Sequence, residues 1–169
     1  SKIFFIYLGL TLVLLSTYYY LGMNFFDSIA HSFTTISTGG FSTHDTSFAY
    51  FNNYNILLVA IVFMVLGSLP FLVLAQTSFK NFFATIKDHQ VKIFLIILFV
   101  SIFLIYFLAN KFVEGSVIQK LISISFNTIS IISGTGFVSE NFENWGNYAS
   151  VLFLILMFIG GCAGSTTGG

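Results

Sequence analysis

The sequence predicts an all-α integral membrane protein made of two similar halves. Three observations carry that reading. Of 169 residues, 56% are hydrophobic and 7% are charged, whereas a soluble domain carries about 25% charged residues. Four long apolar runs cross the chain with almost no charge inside them. Between them, two shorter half-apolar stretches each end in glycine and hydroxyl residues. So little charge cannot cover a water-facing surface, which places the chain in lipid.

The elements follow in order. Run one covers 3–21, and a short stretch, 25–36, leads into the segment TTISTGGFSTHD. Residues 42–55 are polar and aromatic. Run two, 56–75, holds twenty residues without charge. At about 1.5 Å per residue it spans about 30 Å, one hydrocarbon core. Pro70 inside it predicts a kink, with Gly67 and Ser68 relieving the lost hydrogen bond. A polar linker occupies 76–92, and run three covers 93–109. The second short stretch, 117–132, leads into SGTGFVS and the polar ENFENWGNY. Run four begins near Ala149 and dissolves into GGCAGSTTGG. The start, Ser1-Lys2 and an apolar run with no cleavage site after it, reads as a span rather than a signal peptide. The chain reads as a piece of a longer membrane protein.

The order long run, short run, glycine turn, polar segment, long run occurs twice. A shift of 96 residues lays Ser37 on Ser133, Gly40 on Gly136 and Phe41 on Phe137. With the matching hydropathy on both sides, this makes an internal repeat. The expected division is 1–75, linker 76–92, and 93–169. Each half is a transmembrane helix, a re-entrant short helix, a loop and a second transmembrane helix.

Charge orients the halves. Lys2 and the linker's Lys80, Lys87 and Lys92 face one acid, Asp88. The other side holds Lys111 and Lys120 against Asp27, Asp45, Glu114, Glu140 and Glu143. The lysine excess puts the linker in the cytoplasm, so the glycine turns open from outside. Trp145 and the aromatic cluster at 48–54 suit an outer interfacial belt.

Stretches too short to span, followed by glycine, point to cation chemistry. Non-helical backbone at membrane depth is tolerated only inside protein or along a watery cavity. A short helix aims its partially negative C-terminus at the membrane centre. An extended return then turns carbonyls inward, where they replace a cation's water shell. Glycine permits the backbone angles this requires. Neither TTISTGGFST (34–43) nor SIISGTGFVS (130–139) contains a carboxylate. A lone cluster of this kind reads as an ordinary turn; two in register, each behind a short helix, make Ser37, Thr38, Gly39, Gly40 and Phe41, with Ser133, Gly134, Thr135, Gly136 and Phe137, the expected filter residues. Carbonyls around a pore of low charge favour a weakly hydrated monovalent cation, potassium foremost; sodium is not excluded on this ground. Two repeats do not close a four-sided pore.

At these residues a resemblance appears. TGGFS (38–42) and GTGFV (134–138) resemble the filter segments of the Trk/Ktr/HKT superfamily of potassium transporters. IGGCAGSTTGG (159–169) resembles the broken third-repeat helix of bacterial Trk-type pore subunits, and ENFENWG (140–146) the stretch after that repeat's filter. The resemblance covers nearly the whole chain and places it as the second and third of four repeats. It implies a potassium-channel-like fold and potassium uptake across the bacterial inner membrane. It also implies a homodimer, and a cytosolic nucleotide-binding regulatory subunit. The first and fourth repeats of the same polypeptide, and membrane lipid, would be the other partners. No cofactor is implied besides the transported potassium. Gly134 stands where the family pattern puts threonine, so one hydroxyl is lost.

Gly160, Gly161, Cys162, Ala163, Gly164, Ser165, Thr166, Thr167, Gly168 and Gly169 cannot make a stable helix interior. They form an expected gate, a flexible intramembrane loop below the filter. A frayed helix end would use the same residues; two filter-like turns upstream favour the gate. His31 reads as a packed, hydrogen-bonded histidine, with Asn127 its counterpart bonding nearby backbone. His44 and Asp45 at the outer mouth read as a cation attractor or a solvated loop. Ser123, Ser125, Thr128 and Ser130 are expected to bond between the short helix and the core. Dispersed histidines, a lone Cys162, and no nucleophile set or phosphate loop argue against an enzyme. Zero net charge gives no sign of nucleic-acid binding. An ion-coupled secondary transporter of a small solute, and a non-conducting subunit of the same fold, are the alternatives. Long runs free of charge favour a passive pore over alternating access.

Overall fold

The computed structural model describes residues 2–76 and 88–167. Most of the linker, 77–87, lies outside the described residues, as do Gly168 and Gly169. Among the described residues every regular element is helical.

Helix α1 (Lys2–Tyr20) is apolar around its whole circumference. Its Thr11, Ser16 and Thr17 hydroxyls each donate to the carbonyl four residues back, so none seeks a partner outside. Gly22, at φ +105°, turns the chain. The Asn24 side chain then caps α2 (Phe25–Ile36) by accepting from the Asp27 N–H. α1 packs along α2, and buried Tyr18 reaches the Thr35 hydroxyl at 3.1 Å. After an extended return comes a 3-10 turn, Ser47–Phe51, and then α3 (Tyr54–Gly67), capped by Asn53.

Run two differs from expectation. It does not kink at Pro70 but breaks before it. α3 stops at Gly67 and a separate short helix, α4 (Phe71–Gln76), begins after the proline. A proline at that point cannot donate to the preceding turn.

Asp88 caps α5 (His89–Ala109), accepting from the Gln90 and Val91 N–H groups. The helix therefore starts four residues ahead of its apolar run. Ser116 and Gln119 form a capping box at the head of α6 (Val117–Ile132). A second 3-10 turn, Phe142–Trp145, precedes α7 (Asn147–Ile159). The bounds of α2 and α6 match the two short stretches of the sequence.

Phe48 sits between the halves. Its ring centroid lies 4.5 Å from Phe137, 5.2 Å from Phe126 and 6.1 Å from Tyr18. Beside it the Ala49 N–H donates to the Val138 carbonyl, and the Val138 N–H to the Ser47 hydroxyl. α3 packs on α6, so the return of one half is pinned to the other. Outward faces are apolar: Phe5, Phe99, Phe107 and Phe158 are exposed. Trp145 is not on such a face. It is 2% exposed, packed on Phe142 and Phe153, and so holds the second 3-10 turn instead of an interfacial belt.

Candidate ion pathway

Each short helix ends and the chain returns by the same route. The Thr38 N–H donates to the Thr35 carbonyl, and Gly134 to Ile131. Gly40 donates to Thr34, and Gly136 to Ser130. These pairs are related by the 96-residue shift. Backbone angles repeat too. φ is +51° at Thr38 and +68° at Gly40, then +68° at Gly134 and +83° at Gly136. Gly39 and Thr135 between them have negative φ. Alternation of this kind gathers N–H groups on one side. Here that side faces the carbonyls at the end of the short helix, which need donors.

The other side is left free. Among the described residues, the carbonyls of Thr38, Gly39, Gly40, Gly134, Thr135 and Gly136 accept no hydrogen bond. Thr38 and Thr135 are buried, where an unpaired carbonyl is costly unless something polar or charged meets it; Gly39, Gly134 and Gly136 are exposed. The returns approach each other at Gly40, where an added Cβ would lie 1.7 Å from the Thr135 oxygen.

Side chains fix these strands to their helices. Ser130 donates to the Phe137 carbonyl at 2.7 Å, and Ser133 and Thr135 share a hydroxyl contact at 2.7 Å. Asn127 donates to Ser139 and accepts from the Ser139 N–H. His31, fully buried, does the same work in the first half. Its Nδ1 meets the Asp27 carbonyl at 2.8 Å and its Nε2 meets Ser42 at 2.9 Å. Ser123 bonds Ser139 and Glu140, and Thr128 the Ile124 carbonyl of its own helix. These hydroxyls thus serve the return and the short helix, not neighbouring helices as expected. The two aromatic ends differ: Phe137 is 1% exposed and Phe41 is 78% exposed.

Residues 160–167 are not helical, and the loop lies against the break between α3 and α4. The Cys162 N–H donates to the Ser68 carbonyl and the Phe71 N–H to the Gly164 carbonyl, both at 3.0 Å.

A family model described as TrkH, cation transport protein, matches residues 2–169. The chain belongs to this family. Among its relatives, the Trk system potassium uptake protein TrkH of Vibrio parahaemolyticus is 36% identical, over all of this chain and 36% of its own. TrkI of Halomonas elongata, also a Trk system potassium uptake protein, is 35% identical over 97% of this chain and 33% of its own. The crystal structure of the potassium transporter TrkH from Vibrio parahaemolyticus superposes with a TM-score of 0.88 at 35% identity, covering 96% of this chain and 36% of that one. The chain spans about a third of the length of these relatives. As a TrkH-family chain it is a Trk-type pore-subunit sequence and a membrane one.

One cluster of this TrkH-family chain escaped the sequence. Asp27, 3% exposed, accepts from Asn24 (2.8 Å), Thr43 (2.5 Å) and the His44 ring (3.0 Å). Burial pushes its carboxyl up, and the hydrogen bonds from Thr43 and His44 outweigh that and hold it below its usual range. His44 stacks on Tyr50 at 3.5 Å. It is thus neither a free cation attractor nor a solvated loop residue, but an anchor of the return. The only signal in sequence was an acid in the first turn of a helix, which reads equally as a dipole partner.

Proposed function

We propose that this chain forms two of the four walls of a potassium uptake pore in a bacterial inner membrane. The walls are 1–75 and 93–169, joined through the cytoplasmic linker 76–92, and the other two come from the first and fourth repeats of the full-length polypeptide. α1, α3 with α4, and α5 cross the bilayer, α7 enters it and continues as the loop from 160, while α2 and α6 enter from outside and return. The single observation that carries the reading is the paired set of free carbonyls at Thr38–Gly40 and Gly134–Gly136, backed by alternating φ signs. Carbonyls without donors, at the partially negative ends of two helices, replace a cation's water shell. The names of the relatives support potassium as that cation. Loop 160–169 gates below the filter. A homodimer and a cytosolic nucleotide-binding regulatory subunit complete the assembly, on the family resemblance. The test is rubidium uptake by the full-length protein carrying Gly40→Ser or Gly136→Ser, with potassium and sodium as competitors. The reading expects competition by the two ions to converge. Undiminished preference for potassium in both variants removes the filter assignment.

A further inference from the structure

A helix end leaves backbone carbonyls unmet, and two such ends converge on one residue of the loop. The Thr166 Oγ1 lies 2.9 Å from the Ile36 carbonyl, at the end of α2, and 2.9 Å from the Gly67 carbonyl, at the end of α3. The Thr166 N–H also donates to Gly67, at 3.1 Å. The Thr38 hydroxyl, in the filter, is 3.4 Å from the Thr166 Oγ1. A threonine hydroxyl has one proton, and Gly67 already has the backbone donor. The hydroxyl is therefore the donor that the Ile36 carbonyl depends on. The other ties of the loop to the helix break, through Cys162 and Gly164, are backbone bonds that any side chain preserves.

We infer that Thr166 is the positioning residue that holds the loop beneath the filter, by tying it through its hydroxyl to the ends of α2 and α3. This rests on the pore reading only for its effect on ion flux. Glycines at 160, 161 and 164 give the loop other conformations to enter once the tie is gone. Gly67 belongs to the same joint. A Cβ there would meet the Ile36 oxygen at 3.2 Å, the Thr166 Oγ1 at 3.2 Å and the Thr38 methyl at 3.3 Å. An alanine at that position would press on all three, each of which must give by a few tenths of an ångström.

The experiment uses the full-length protein in liposomes, with any cysteine other than Cys162 replaced by serine. Cys162 is 4% exposed and reports on the loop without reference to ions. Its labelling rate by a small methanethiosulfonate reagent is measured beside rubidium flux, in Thr166→Val, Thr166→Ser and Gly67→Ala. Thr166→Val is expected to raise labelling and flux about two- to tenfold, the range that one net hydrogen bond spans. Thr166→Ser keeps the hydroxyl and is expected to match the parent, which a purely steric role of the side chain would not produce. Gly67→Ala is expected to act like Thr166→Val, and it carries the test if that variant fails to assemble. Faster labelling without a change in flux upholds the tie and removes the gate. Parental labelling in Thr166→Val, or in Gly67→Ala where that variant carries the test, overturns the inference.

Discussion

The Cα of Gly40 lies against the carbonyl of Thr135, so close that a Cβ on residue 40 would stand 1.7 Å from that oxygen. The two returns thus meet at a point where only hydrogen fits. Gly134 has the same φ, +68°, but nothing within 4 Å of its would-be Cβ. The pair separates space from backbone strain. Gly134→Ala carries only the left-handed penalty of about 1–2 kcal/mol. Gly40→Ala adds a collision with backbone. Rubidium uptake by the full-length protein is expected to survive Gly134→Ala in reduced form and to fall much further, to a residual level, with Gly40→Ala. Equal activity of the two would mean that the returns do not meet in the working protein.

Phe48 belongs to the first half yet stacks on Phe126 and Phe137 of the second. Replacing a buried phenylalanine by alanine costs about 3–5 kcal/mol. Phe48→Ala is expected to lower the thermal midpoint of the purified protein. The smaller Phe48→Leu change should recover much of the loss. A midpoint unchanged by Phe48→Ala would show that the halves are not joined there.

Asp27 gives a pH dependence of known sign. Its folded value lies below the ordinary carboxyl value of 3.8, so the unfolded chain binds its proton more readily. Its contribution to stability is therefore complete above that value and is lost as pH falls through the lower folded value. Asp27→Asn should lower stability at neutral pH, by about 1–3 kcal/mol for the bonds it weakens. It should also flatten the acid limb of a melting-temperature profile. A parental profile in the variant would place the carboxylate outside the fold's working contacts.

Much of this was legible because it is local. The bounds of α2 and α6 follow from short apolar stretches that end at Ser37 and Ser133, ahead of glycine. The equivalence of Gly40 and Gly136 follows from a repeat of 96 residues. What escaped depends on partners far along the chain. Pro70 reads as a kink because the groups that meet the broken backbone, Cys162, Gly164 and Thr166, come more than ninety residues later. Asp27 finds Thr43 and His44 across the return, which no helical period reveals. Trp145 has the composition of an interfacial residue, and only packing on Phe153 shows that it is buried. The left-handed Thr38 is hidden for another reason: threonine rarely takes that conformation, and it does so here where its counterpart is glycine.

The central claim is that free carbonyls at Thr38–Gly40 and Gly134–Gly136 hold a dehydrated monovalent cation. The most direct measurement is anomalous scattering from crystals of the full-length protein grown in rubidium or thallium salts. The account predicts a peak beside the two returns, within coordination distance of those oxygens, that fades when sodium replaces the heavy ion. A peak confined to the Asp27 and His44 side chains, or none beside the returns, would contradict it.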